Sequence, residues 1–122
     1  MEISQMYKNI TIMDQLNTET SSVVLVNIFQ VAAEDADALT SAWENDANFM
    51  KKQPGFISTQ LHKAIGTNTT FLNYAVWEST THFRAAFNHP EFRNALKDYP
   101  SSAETTPLLF QRLSVPNLCV GD

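Results

Sequence analysis

Short apolar runs alternate along the chain with polar, turn-forming segments, and this pattern predicts four strands. Valine and isoleucine content predicts the first strand over residues 23–31, and period-two alternation predicts the second over 56–63. The Gly-Thr-Asn turn at 66–68 returns the chain into a third strand over 69–78, which forms a hairpin with the second. A fourth strand is predicted over 105–115.

Helical periodicity fills the two gaps between these strands. In the first gap acids precede, and lysines follow, an apolar stripe at helical spacing, which consists of Ala36, Leu39, Trp43, Ala47 and Met50. In the second gap Ser79 is the predicted N-cap, and Pro90 ends one helical segment and starts another. The order strand, helix, strand, strand, helix, strand predicts an α+β, ferredoxin-like βαββαβ fold, with a four-stranded antiparallel sheet and both helices on one face.

A chain of 122 residues, 43% of them hydrophobic, fits one domain with a substantial core. We assign that domain to residues 23–115. The polar residues 1–22 are expected to form an extended N-terminal arm, and residues 116–122 a C-terminal tail.

The first predicted strand is apolar on both of its faces. Val23, Leu25 and Phe29 share one parity, and Val24, Val26 and Ile28 share the other. Two helices cover only one face of a four-stranded sheet, so the other face needs a different cover. A second subunit is the simplest one, which predicts a homodimer that forms a dimeric α+β barrel.

Composition narrows the possible partners and the compartment. The net charge is −5 and the acids are dispersed, so the chain has no basic face for nucleic acid or an anionic membrane. No apolar run approaches the ~20 residues of a membrane span, and residues 1–22 contain no apolar segment of the signal-peptide kind. With Cys119 as the one cysteine, these features predict a soluble cytoplasmic protein.

The side chains of conventional cofactor sites are absent or badly spaced. His62, His82 and His89 form no metal-ligand pair with one another or with a carboxylate, which predicts that there is no metal site. The chain has only three glycines, so a dinucleotide fingerprint and a phosphate loop are excluded. Nucleotide and flavin cofactors are therefore not expected.

Two asparagines interrupt the most apolar strands. Asn27 lies in the first strand and Asn73 in the third, where Trp77 shares its face because strand side chains alternate. One interpretation is a mostly apolar cavity that grips a polar substituent on a flat ligand. The other is that each amide only hydrogen-bonds a loop or a neighbouring strand. The sequence leaves both open.

An ordered set of segments resembles the antibiotic biosynthesis monooxygenase family. The resemblance covers roughly residues 22–113 and rests on Val26-Asn27-Ile28-Phe29, Pro54-Gly55-Phe56, Phe71-Leu72-Asn73-Tyr74-Ala75-Val76-Trp77, Phe83-Arg84-Ala85-Ala86 and Pro90-Glu91-Phe92. Within the family it is most similar to the cofactor-independent monooxygenases that act on anthrones.

This resemblance implies a cofactor-independent monooxygenase that oxidises a polycyclic aromatic phenol, anthrone or quinol with O₂ to a quinone. Asn27, Asn73 and Trp77 take the catalytic positions: the amides donate hydrogen bonds to the substrate anion, and the indole stacks on its rings. The remaining substrate-binding residues are assigned as His62, Phe83, Phe87 and Phe92. Three bases remain possible: a water held by an asparagine, His62, or the substrate's own oxygen.

Two other functions compete with this one. The haem-degrading branch of the family carries a histidine ligand where this chain has Leu96, which argues against haem binding in that geometry. A dimeric module that binds a hydrophobic small molecule or a protein without catalysis predicts the same fold.

Overall fold

A computed structural model describes residues 1–121 as one five-stranded sheet with helices against one face. The strands are β1 (Glu2–Ile3), β2 (Val23–Gln30), β3 (Phe56–Lys63), β4 (Thr70–Trp77) and β5 (Glu104–Phe110). The helices are α1 (Ile12–Leu16), α2 (Ala36–Met50), α3 (Thr80–Phe87) and α4 (Pro90–Ala95). Their order across the sheet is β1-β5-β2-β4-β3. No helix among the described residues has the length and apolar character needed to cross a membrane.

The predicted α+β, ferredoxin-like fold is confirmed. The elements follow one another in the predicted order, which is β2, α2, β3, β4, α3 with α4, and β5. The neighbouring strands among β2, β3, β4 and β5 all pair antiparallel. The strand count was wrong, because β1 adds a fifth strand, parallel to β5.

The central strand β2 is paired along both of its edges and is apolar on both faces. It pairs with β4 over eight residues and with β5 over seven. Leu25, Asn27 and Phe29 point toward the helices, where they meet side chains of α2 to α4 around one cavity. The alternate residues point to the opposite face of the sheet.

Helix α2 begins after a 3₁₀ turn at residues 33–35 and presents the predicted stripe to the sheet. The chain then turns at Gly55, whose φ of +86° lies in the left-handed region. A Cβ at this position would lie 2.3 Å from the ring carbon Cγ of His82. Both the backbone conformation and the packing therefore require glycine here.

A β-bulge at the start of β3 breaks the predicted alternation. Phe56 pairs with Trp77, whereas the next paired residue is Ser58, opposite Val76, so Ile57 is the extra residue. Ile57 is 53% exposed. The Phe56 ring instead turns toward the core, where it meets the edge of Trp77 at a centroid distance of 5.4 Å.

The second helical region has the predicted boundaries. The Ser79 hydroxyl accepts the backbone N–H of His82 at 3.1 Å and caps α3. Pro90 is the first residue of α4, where its missing N–H costs nothing.

The N-terminal segment, residues 1–22, is not the extended arm that its polar composition predicts. It contains β1 and the short helix α1, which begins with a capping box formed by Thr11 and Asp14. Leu16 at the end of α1 is 0% exposed and belongs to the core around Trp77. The segment is thus anchored at both of its ends.

The C-terminal boundary of β5 was also wrong, since the strand was predicted to reach Val115. It ends at Phe110, which pairs with Val24, the second residue of β2. Beyond that point β2 offers β5 almost no further partner. The chain then forms an exposed turn in which Val115 pairs with Cys119.

The sheet face away from the helices is apolar and partly open. Val26, Ile28 and Leu72 are half-buried there, and Tyr74 and Phe110 are 42% and 48% exposed. We call this surface the back face of the sheet.

The anchoring of the N-terminal segment gives a stability prediction. Leu16→Ala should lower the free energy of unfolding by about 2–5 kcal/mol, because it leaves a cavity in a closed part of the core. Met13→Ala in the same helix is the matched control, since Met13 is 37% exposed. Urea unfolding followed by circular dichroism measures both. Equal effects of the two substitutions would contradict the proposed anchoring.

Candidate active site

A cavity of about 80 Å³ lies between the helix-facing side of the sheet and the helices. Its sheet wall includes Leu25, Asn27, Phe29, Asn73 and Trp77. Its helix wall is built by α2, α3 and α4. The cavity sits between two clusters of buried residues, one around Trp77 and one around Phe29 and Leu39.

Asn27 and Asn73 lie side by side in the sheet wall. They are direct register partners across β2 and β4, so their side chains leave the sheet at the same point and toward the same cavity. Asn73 is 9% exposed. On each strand the asparagine lies between a residue of one core cluster and a residue of the other. On β2, for example, Asn27 lies between Leu25 and Phe29.

Each amide is held by a threonine on the outer neighbouring strand. The Thr59 hydroxyl donates to Oδ1 of Asn73 at 2.6 Å, and the Thr105 hydroxyl donates to Oδ1 of Asn27. The two carbonyl oxygens are thereby satisfied by the sheet. Neither amide N–H₂ group donates to another group among residues 1–121, and both side chains line the cavity. The arrangement leaves two adjacent donors for whatever enters.

Aromatic rings form a continuous wall beside the amides. Trp77 is 1% exposed, and the centroid of its ring lies 5.3 Å from that of Phe83. The series continues from Phe83 to Phe87 at 5.9 Å and from Phe87 to Phe92 at 5.4 Å. All four rings line the cavity, so the structure brings together six of the seven residues assigned to the site. Such a wall suits a flat apolar ligand.

The seventh residue, His62, does not join them. Its strand position places it on the back face, where Nδ1 lies 3.3 Å from the carbonyl oxygen of Leu72. The β3 bulge explains part of this, because it assigns Thr59 and Leu61 to the cavity side of β3 and leaves His62 on the other. His62 is therefore excluded from contact with a ligand in this cavity.

The other two histidines serve the ends of helices. His82 Nδ1 lies 2.7 Å from the hydroxyl of the N-cap residue Ser79, and the His89 ring accepts the backbone N–H of Glu91. Leu96 lines the cavity with a hydrocarbon side chain that cannot bind a metal. No group of three metal-ligating side chains occurs within the described part of the chain.

Sequence reasoning missed two polar residues of the helix wall, Asp46 and Tyr99. Asp46 is 7% exposed and lies on α2 between Trp43 and Met50, which pack against different core clusters. The one available signal was its spacing, three residues after Trp43 and four before Met50, which places an acid on the apolar stripe.

Burial sets the protonation of this pair. The pKa of Asp46 is raised from 3.8 to about 6 as the net effect of three causes: desolvation raises it most, the Tyr99 hydroxyl lowers it, and the charge of Asp98 raises it. Burial, together with the Asp46 charge, raises the pKa of Tyr99 well above its ordinary value. Tyr99 thus keeps its proton throughout the physiological range, and its ring stacks on Phe29 at 6.0 Å.

Comparison with known proteins identifies the family of the chain. The profile of the antibiotic biosynthesis monooxygenase family matches residues 22–98. The chain belongs to this family. No functionally curated protein matches the chain at a significant level.

Solved structures of the family share the fold. SnoaB, a cofactor-independent oxygenase from Streptomyces nogalater, matches with a TM-score of 0.72 and 24% identity, over 80% of this chain and 99% of SnoaB. A monooxygenase candidate from Shewanella loihica PV-4 matches with a TM-score of 0.65 and 33% identity, over 78% of this chain and 97% of that one.

Proposed function

We propose that the protein is a cofactor-independent monooxygenase that oxidises a polycyclic aromatic phenol, anthrone or quinol with O₂ to a quinone. The observation that carries the proposal is the pair of amides, Asn27 and Asn73, whose free N–H₂ groups border an aromatic cavity. SnoaB, which has a similar fold, is a cofactor-independent oxygenase, and this supports the same class. The proposal includes a cytoplasmic location, where the exposed thiol of Cys119 stays reduced.

The amides suit a reaction in which the substrate supplies the electrons. An anthrone or quinol forms an anion that passes an electron directly to O₂, so the substrate takes the place of a flavin or metal. Negative charge then develops on the substrate oxygens. Two preorganised N–H donors stabilise that charge, and one such donor contributes roughly 3 kcal/mol. The rings of Trp77 and Phe83 pack against the substrate rings.

Removing one amide tests the proposed role. Metal-free protein should consume O₂ with anthrone, and Asn73→Ala should lower the turnover number by roughly 10²-fold, the cost of one lost donor. Thr59→Val should give a smaller loss, because the amide remains but loses its hydrogen bond. An oxygen electrode measures the rates.

Asn48→Ala is the matched control, because Asn48 is exposed on α2 and does not line the cavity. If Asn73→Ala lowers the melting temperature but leaves the specific activity of the folded fraction unchanged, the amide only stabilises the sheet. That result would favour the non-catalytic binding module.

Substrate size requires part of the cavity wall to move. The cavity of about 80 Å³ is smaller than the site of about 150 Å³ that holds benzene in an engineered protein core. Met1, Ile3 and Ile12 of the N-terminal segment line this cavity. Strand β1 has two register pairs, and Ile3 is 41% exposed, so it is the least firmly held part of the wall. We expect β1 to separate from β5 when a three-ring substrate enters.

A disulfide between β1 and β5 tests this opening. The Ser4 and Thr106 hydroxyl oxygens lie 3.0 Å apart, so Ser4→Cys with Thr106→Cys, in a Cys119→Ser background, should form a crosslink. The oxidised form should bind 1,8-dihydroxyanthraquinone at least about tenfold more weakly than the reduced form. Quenching of Trp43 and Trp77, which both line the cavity, reports binding. Equal binding by both forms would contradict the opening, and no binding by either would contradict the substrate class.

The predicted homodimer remains part of the proposal. The back face carries apolar side chains of β2, β4 and β5 that are half-buried or exposed. Tyr74 and Phe110 are the most exposed of these side chains. A second copy of this sheet presents a matching surface.

Light scattering tests the dimer. Two chains of 13.7 kDa should give a mass of about 27 kDa at micromolar concentration. Tyr74→Glu should reduce it toward the monomer value, because it places a charge in the apolar interface. Glu44→Gln, on the exposed side of α2, should leave the mass unchanged. A stable wild-type monomer would refute the dimer.

A further inference from the structure

We propose that Asp46 is the catalytic base that removes the proton from the substrate, a role that rests on the proposed oxygenase function. The amides donate hydrogen bonds but are poor proton acceptors, so they hold an anion without being able to form it. His62, the one histidine assigned to the site, lies on the other face of the sheet. A base on the cavity wall would remove the proton directly, in place of a bound water or the substrate's own oxygen.

Asp46 is the group on that wall with the right chemistry. Within residues 1–121, the titratable side chains that line the cavity are those of Asp46 and Tyr99. Tyr99 keeps its proton because burial and the Asp46 charge both disfavour its anion. Asp46 is thus the one side chain of the wall that exists as a base near neutral pH.

The position of Asp46 matches that of the amides. On α2 it lies between Trp43, which packs against one core cluster, and Met50, which packs against the other. Asn27 and Asn73 occupy the same boundary in the sheet. A flat substrate in the cavity therefore has the amides on its sheet side and the carboxylate on its helix side.

The carboxylate has an unused acceptor. Oδ1 of Asp46 is buried and has no hydrogen-bond partner among the described residues. An unsatisfied buried carboxylate oxygen is costly, and such groups in folded proteins call for a functional reason. Oδ1 has no accessible surface in this structure, so a substrate C–H or O–H reaches it when the cavity wall moves to admit the substrate, and then supplies the missing partner.

The electrostatics suit general base catalysis. Burial raises the pKa of Asp46 to about 6, while the Tyr99 hydroxyl beside it lowers that pKa and the charge of Asp98 raises it. A base with a pKa just below neutrality is ionised at pH 7 and is still a stronger proton acceptor than an exposed carboxylate.

Asp46 alone can carry out the proton transfers of the reaction. Asp46 takes a proton from the substrate methylene carbon, and the electron pair of that C–H bond remains in the ring system as the anion. One electron passes to O₂, and the substrate radical and superoxide combine to a peroxide anion, which takes the proton back from Asp46. The carboxylate then removes the second proton as the O–O bond breaks. One oxygen atom becomes the quinone carbonyl, and the other leaves as hydroxide, which takes the proton from Asp46 and becomes water.

Substitution of Asp46 tests the proposal. Asp46→Asn should lower the turnover of anthrone by about 10²-fold or more, the range of a general base. The kcat/KM of the wild type should rise with pH through about 6, and this rise should vanish in the variant. Formate should partly restore the activity of Asp46→Ala, because it places a carboxylate in the vacated space. Glu44→Gln, an exposed position on the same helix, should behave like the wild type.

Stability gives a second readout that does not depend on activity. The pKa of Asp46 is raised in the folded state, so its ionisation opposes folding, and the contribution of Asp46 to wild-type stability should fall as pH rises from about 4 to 6. The melting temperature of Asp46→Asn relative to the wild type should therefore increase over that interval and stay higher above it. Glu44→Gln should show no such trend.

The outcomes separate the two hypotheses. A wild type that consumes no O₂ with any anthrone or quinol refutes the proposed function. A wild type that turns over anthrone while Asp46→Asn matches its rate refutes the base and leaves the function standing. A constant melting-temperature difference from pH 4 to 8 refutes the buried ionised carboxylate on which the assignment depends.

Discussion

The structure depends on the need to satisfy two amides in the middle of a dry sheet. Asn27 and Asn73 face each other across β2 and β4, and Thr105 and Thr59 satisfy their oxygens from the outer strands. This polar row divides the apolar core into two clusters. Hydrocarbon packed directly against the N–H₂ groups would leave them without partners, at a cost of roughly 1–3 kcal/mol each. A cavity at this boundary is the consequence.

Helix α2, on the opposite wall of the cavity, also carries a polar residue at the boundary between the two core clusters. Its apolar stripe is interrupted by Asp46, and the burial of this side chain opposes its ionisation. A valine or leucine here would pack well and stabilise the protein, so the acid is a local loss of stability at the cavity. Such losses are typical of functional sites, where preorganised and partly unsatisfied groups serve binding or chemistry. The donors on the sheet and the acceptor on the helix complement each other chemically.

Sequence patterns predicted the parts of the fold and site that follow strand and helix periodicity. Asn73 and Trp77 share a face because strands have a period of two, and the stripe of α2 follows from its spacing. The bulge at Ile57 was not predictable, because one inserted residue leaves the local composition unchanged. The anchoring of Leu16 depends on tertiary packing around one apolar residue in a polar stretch. The spacing of Asp46 placed it on the apolar stripe, but its burial was not predictable, because burial depends on what the opposite wall leaves unfilled.

The residues assigned to the chemistry and the residues expected to limit substrate size come from different parts of the chain. Asn27, Asp46, Asn73 and Trp77 all lie within the family match at residues 22–98, whereas Ile3 and Ile12 lie before it. We therefore expect a substitution of Ile3 or Ile12 to change which molecules reach the amides without changing the amides themselves. Because the contacts of β1 with β5 are few, this part of the wall is also the easiest to alter without loss of the fold. The proposed function thus assigns substrate size and reaction type to separate parts of the chain.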